Sequence, residues 1–400
     1  MLFNFNFYSA LLLLFFSNGI LYSLLLLKKG ILNDNQSNKW LSLFVFLCAL
    51  YIAPWMLGFA GWYDHQPYRE IMFCLPLQHL FFIGPIIYFY VQSLLNPSFK
   101  LNKTNFYHLI PAILYLFYNI IMIVTDKLIL NKPYFFADGS DRDFDDWYQK
   151  LGLISMLVYF VLSLIYYQKY QKLVQQLVSF ADDILFKWIK TFLIAFLSMQ
   201  ILQILFYIID IIAPSDNKYI GSWWYFFCFS IIMLYIAITG YSNALTTKIS
   251  FQFDSLKNNK VFLLASSENE ITTEIDFQEL PISFAISSET FEWKNKISTL
   301  FETQNVSQNP ELTLTDVAKS LNTNVSIISK TINQGFQMNF NDFVNQYRVE
   351  EVKKAFQKNQ HKKSTLLGIA FDCGFNSKAT FNRAFKKNTS LSPKDYLSQL

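Results

Sequence analysis

The sequence holds little of the side-chain chemistry from which active sites are built. Its four cysteines, Cys48, Cys74, Cys228 and Cys373, are scattered, with no CxxC pair and no histidine at metal-ligand spacing, so they read as packing residues. No Ser-His-Asp set, zinc motif or phosphate-binding glycine loop stands in a suitable context, which leaves no expectation of catalysis, a cofactor or a metal. Charge is nearly missing from long runs within residues 1–245, whereas residues 246–400 have the composition of a soluble domain.

Apolar and aromatic residues are in excess. The chain is 52% hydrophobic over 400 residues and carries 42 Phe and 23 Tyr, more than one soluble core requires. A membrane span needs about 20 mostly apolar residues. About seven such runs occur: Phe5 to Leu27, Trp40 to Ala60, Ile71 to Leu95, Phe106 to Val124, Leu151 to Gln168, Trp188 to Ala213 and Ile220 to Gly240. The first has no basic residue ahead of it and Lys28 and Lys29 behind it. It therefore reads as a retained span that starts outside, not as a signal peptide.

Basic residues fall in alternate loops, around Lys28, Lys29 and Lys39, around Lys100 and Lys103, around Lys169, Lys172 and Lys187, and after Lys248. The other loops are poor in Lys and Arg or acidic, most clearly residues 138–146. Since basic loops stay in the cytoplasm, the N-terminus is expected outside and the C-terminus inside a bacterial inner membrane. Asn18, Gln78, His79, Asn119, Gln203 and Asp210 lie within the spans. Two readings stand for them: interhelical hydrogen bonding near Pro54, Pro76, Pro85 and Pro111, or a ligand pocket built from His79, Asn119, Gln203 and Asp210.

Residues 246–289 read as a polar cytoplasmic linker, and a helix is expected to resume over Thr290 to Glu302. From Thr313 onwards, thirteen Lys and Arg face six Asp and Glu, a balance that points to a polyanion. Thr313 and Asp316 have capping-box spacing and open a helix to about Leu321. Asn322-Thr323-Asn324 makes a turn, and a second helix from Ser326 buries Ile328 and Ile332. Its opposite face carries Ser326, Ser329, Lys330 and Asn333. A short polar residue, a cation and an amide suit contact with base edges in the major groove.

A long helix over Phe340 to Gln357 comes next. Beyond it, Leu366 to Cys373, Gly374 and a helix over Ser377 to Lys387 repeat the helix-turn-helix pattern. With Phe381 and Phe385 inward, Ala379, Arg383 and Lys386 point away, flanked by Lys378 and Asn382.

Residues 290–400 resemble the AraC-type regulator domain. The resemblance rests on Ile369, Ala370, Gly374, Phe375, Phe381, Phe385, Lys386 and Pro393 in the second unit. In the first unit it rests on Leu312, Leu314, Ala318 and the ISK-x-I recognition helix, and between the units on the central helix with Arg348. Gln337 and Ser390 stand where glycines are usual, Val352 where alanine is, and Leu397 where an arginine is. The resemblance implies two recognition helices entering successive major grooves, with the central helix setting their spacing.

The fold class expected is all-α: a transmembrane helix bundle over 1–245, a linker over 246–289 and an AraC-type domain over 290–400. The partners expected are double-stranded DNA, a lipid bilayer and a signal ligand of unknown identity. The family habit of pairing adds a homodimer, and a regulatory role adds RNA polymerase. Two rival readings remain, a receptor whose C-terminal domain binds a protein and a transporter with a regulatory tail.

Overall fold

The computed structural model describes residues 3–400 apart from 97–98, 182–185, 213–217, 243–250, 254–259, 264–272 and 277–287. Much of the linker expected over 246–289, including Lys248, lies outside the described residues. Backbone contacts divide the chain into two compact units. The first is Met1–Tyr166 with Lys187–Thr246, and the second is Tyr167–Phe186 with Thr247–Leu400.

The first unit contains α1 (Phe7–Leu32), α2 (Gln36–Phe59), α3 (Tyr68–Cys74), α4 (Leu80–Leu95), α5 (Lys103–Phe106), α6 (Ile110–Val124), most of α8 (Phe186–Ile212) and α9 (Lys218–Ser242). Between α6 and α8 runs α7 (Asp146–Leu177), which continues into the second unit. Among the described residues, six helical segments are long and apolar enough to cross a membrane. Their exposure suits lipid. Leu114, Phe117, Ile120 and Ile121 of α6 are more than half exposed, as are Ile209, Ile211 and Ile212 of α8. In contrast, α2 is central, with Phe44, Val45, Ile52 and their neighbours buried. Where α4 meets α7 there is no room for a side chain: a Cβ on Gly84 would lie 2.7 Å from the Tyr159 ring and 3.3 Å from the Ser155 carbonyl. Between α1 and α2, Ser23 and Ser42 each donate a hydroxyl to the other's carbonyl, at 3.0 and 2.7 Å.

The third apolar run is not one continuous helix. It breaks after Cys74, and α4 has only 16 residues. Pro76 lacks an amide hydrogen and disfavours helix in the residue before it. A break inside a membrane leaves backbone groups that lipid cannot satisfy, so protein must. Asp143 Oδ2 accepts from the amides of Leu77 and Gln78 at 2.7 and 2.9 Å, and Tyr148 Oη accepts from the Leu80 amide at 3.0 Å while donating to the Gln78 carbonyl.

Of the intramembrane polar residues, Asn18 and Asn119 donate to carbonyls one turn back, those of Leu14 and Tyr115, at 2.8 and 3.0 Å. A small internal cavity is lined by Tyr51, Gln200, Gln203 and Tyr225 among apolar neighbours. His79, Asn119 and Asp210 are not in its lining, and Asp210 is exposed.

The second unit adds short antiparallel strands β1 (Phe251–Phe253), β2 (Lys260–Leu263) and β3 (Thr273–Asp276), ordered β1-β2-β3, with Gln252 opposite Phe262 and Phe262 opposite Glu274. These strands lie within residues 246–289 and leave the architecture helical in both halves. The remaining helices are α10 (Ser288–Thr303), α11 (Leu314–Ser320), α12 (Val325–Lys330), α13 (Phe340–Gln357), α14 (Leu366–Asp372), α15 (Lys378–Thr389) and α16 (Pro393–Leu397).

Asp143 gives the first unit a pH dependence. Burial is the main cause and Asp141 the second, and together they raise its carboxyl from 3.8 to about 7. Tyr115 faces it at 3.3 Å, and Asp141 in turn accepts from Tyr63 at 2.5 Å. A folded-state value above the unfolded one means that the native state holds the extra proton. That stabilisation is complete at acid pH and is lost as pH rises through 7. Thermal unfolding of the detergent-solubilised chain should show a loss of about 2 kcal/mol between pH 5 and pH 8, and Asp143→Asn should flatten the profile. A wild-type profile already flat over that range would contradict this assignment.

Candidate nucleic-acid interface

The first helical pair starts at a capping box. Thr313 Oγ1 accepts from the Asp316 amide at 3.2 Å, and Asp316 Oδ2 accepts from the Thr313 amide at 2.9 Å. After α11 the chain turns at Asn322, whose φ of 49° is tolerated by asparagine, and Asn324 caps α12 through the Ser326 amide at 2.9 Å. Ile328 and Ile332 are buried. Lys330 and Asn333 are exposed and Ser326 half-exposed, whereas Ser329 is mostly buried and its hydroxyl lies 3.5 Å from Asn333 Nδ2. After Lys330 the helix widens to a π turn over Thr331–Gly335, so Asn333 sits on that turn and not on α12 itself.

The second pair is α14 and α15. Ser377 caps α15 by accepting from the Thr380 amide at 3.2 Å. Phe381 and Phe385 are buried with Val352, Phe356, Ile369 and Phe375 in one cluster. Lys378, Ala379, Asn382, Arg383 and Lys386 are all exposed.

The two pairs share α13. Phe343 and Tyr347 pack their rings on Phe301 of α10 at 4.9 and 5.0 Å, and Phe336, next after the π turn, reaches Phe343 at 4.6 Å. Further along, Val349, Val352 and Phe356 belong to the core of the second pair. Lys387 of α15 bonds Asp342 of α13 at 2.7 Å, tying the second reader helix to the start of the central one.

Arg348, at mid-α13, is 1% exposed. Its Nε donates to the Ser307 carbonyl at 2.8 Å and its Nη2 to the Asn309 carbonyl at 2.7 Å. Both carbonyls belong to the turn that leads into α11, so one guanidinium fixes the approach to the first pair against the shared helix. A buried cation bonded in this way is far costlier to remove than a surface one.

The outward faces of α12 with its π turn, and of α15, thus present cations and amides from two similarly built units. Residues 317–399 match the family model described as a helix-turn-helix domain. No curated protein and no solved structure matches the chain. The C-terminal region is an AraC-type helix-turn-helix domain.

Two departures from the usual AraC-type pattern can be located. Gln337 and Ser390, where the family resemblance leads one to expect glycine, have φ of 56° and 63°. The backbone keeps its left-handed turn although the residue has changed, at a cost of roughly 1–2 kcal/mol each. Both are exposed, so no packing offsets that cost. Gly374 is retained with φ of 92°, and a Cβ there would lie 2.5 Å from the Ser307 carbonyl that Arg348 bonds.

Denaturant unfolding of the C-terminal domain within the detergent-solubilised chain should therefore separate these positions by sign. Gln337→Gly and Ser390→Gly are each expected to stabilise by up to about 1 kcal/mol, the glycine entropy cost taking back part of the relief. Gly374→Ala is expected to destabilise by about 2 kcal/mol or more. Loss of stability in both glycine variants would remove the strain assignment.

Proposed function

We propose that the protein is a membrane-held transcription regulator that reads a specific DNA sequence through α12 and α15, under the control of a signal received by its apolar half. The observation that carries this reading is the pair of exposed polar and cationic faces, Lys330 with Asn333 and Arg383 with Lys378, Asn382 and Lys386, on two helix-turn-helix units joined by one central helix. Arg and Lys suit guanine edges and phosphate, and amides suit adenine. Ser326 and Ala379 fall on the same two faces as smaller contacts, and Ser329 acts by holding Asn333.

The alternation of basic loops supports an N-terminus outside and the reader in the cytoplasm of a bacterium, beside the chromosome. The reading makes the protein a binder rather than a catalyst. A pair of such chains would present four reader helices, and a regulator so placed would act on RNA polymerase at the promoter it occupies.

Binding of the full-length chain to a duplex selected from a random-sequence pool tests the reading. Arg383→Ala and Lys330→Ala should each weaken binding by about 1–3 kcal/mol if both touch bases. Affinity should also fall steeply as salt rises, because phosphate contacts release counterions. Wild-type affinity in both variants, or a flat salt curve, would leave a protein partner as the better reading of this domain.

A further inference from the structure

The segment at the end of α7 carries information the reader's own sequence does not. α7 has 32 residues, some 48 Å of helix at about 1.5 Å per residue, against roughly 30 Å of hydrocarbon. Its surplus lies at the C-terminal end, beside Lys169 and Lys172, and from Tyr167 onwards the chain belongs to the same compact unit as the helix-turn-helix domain. There the chain is enclosed. Val174 and Ser179 are 0% exposed and Val178 is 1% exposed.

The enclosure is specific at the level of backbone. Val178 forms an antiparallel bridge with Thr313, the capping residue of α11, and the Ser179 amide donates to the Leu312 carbonyl at 3.1 Å. Two side chains of α13 complete the contact. Asn341 Nδ2 donates to the Ser179 carbonyl at 2.8 Å, and Arg348 Nη2 donates to Ser179 Oγ at 3.0 Å. Asn345 bonds Asn341 at 3.1 Å behind them. Ser179 therefore joins the same guanidinium that fixes Ser307 and Asn309, and it touches both the entry to the first helical pair and the helix shared with the second.

We propose that Val178–Ala181 is a docking segment for the DNA reader, and that its occupancy of this place holds the two recognition helices in their DNA-competent arrangement. The proposal rests on the DNA-reading function above and names its means of control. Displacement of α7 by a signal withdraws Ser179, removes an acceptor from Arg348 and takes the backbone contact to Leu312 from the entry of the first pair, loosening that entry against α13. Two-helix reading depends on fixed spacing, so the docked form binds duplex and the released form does so weakly.

Two experiments on the full chain test this. In a background lacking the four native cysteines, Val178→Cys with Thr313→Cys should form an intrachain disulfide on oxidation, and the oxidised chain should still hold a duplex selected from a random-sequence pool. Val178→Glu, which places a charge in the contact, should lower affinity for that duplex by about fivefold or more while helical content is unchanged. Ser179→Ala removes only the hydroxyl that Arg348 reaches and should lower affinity less, in the same direction; it serves as the measurement where Val178→Glu does not fold. The proposal is overturned if no disulfide forms, if oxidation abolishes binding, or if the folded variants bind as tightly as the unaltered chain. Failure of the unaltered chain to hold any duplex would defeat the DNA-reading function and this control with it, while the disulfide result would still report the docking by itself.

Discussion

Wherever this chain leaves regular helix away from water, a side chain has to bond the backbone groups that the helix no longer satisfies. That requirement recurs in both compact units. At the break before α4, the carboxyl of Asp143 and the hydroxyl of Tyr148 take the amides of Leu77, Gln78 and Leu80. At the entry to the first helical pair, the guanidinium of Arg348 takes the carbonyls of Ser307 and Asn309. An unbonded buried amide or carbonyl costs several kcal/mol, so each of these side chains decides whether an irregular segment can exist where it does. Irregular segments are in turn what allow the third apolar run to bend and the helical pairs to turn.

The same requirement explains what could be read from the sequence and what could not. Helices of the reader came from periodicity and caps, because both are local. The capping box at Thr313, the turn at Asn322 and the span Phe340–Gln357 were each legible within a few residues. The break in the third span was not, since a hydropathy window counts apolar side chains and is blind to where the amides go. Pro76 was a hint, but the partner that makes the break tolerable lies 66 residues from Leu77, in an acidic stretch that reads as a solvated loop. Asp143 is 3% exposed there. The bond between Arg348 and Ser179 spans 169 residues, and no periodicity on either side announces it.

Side-chain facing was legible only where the helix was regular. On α15 the 3.6-residue period put Lys378, Ala379, Asn382, Arg383 and Lys386 on the exposed face, and they are exposed. On the first recognition element the period fails after Lys330, because a π turn takes in more chain than an α turn and rotates the residues beyond it. Asn333 therefore reaches the surface from the turn, while Ser329, still in regular helix beside Ile328 and three residues before Ile332, lies at the edge of the buried stripe.

The positive balance of the reader also divides once contacts are known. Thirteen cations suggest a broad attraction for any polyanion. Yet Arg348 is buried, Lys387 is bonded to Asp342 at 2.7 Å, and Lys353 and Lys354 are bonded to Glu350 and Glu351 at 2.9 and 2.7 Å. Those four serve the domain's own geometry before they serve a ligand. An attraction computed from net charge therefore overstates the number of phosphates this surface can neutralise. On the proposed DNA-reading function, affinity then depends more on Lys330 and the α15 face, where spacing matters, than on charge, where it does not. A reader of this kind is sensitive to anything that shifts α11 and α12 against α13, which is the place where the segment after α7 is held.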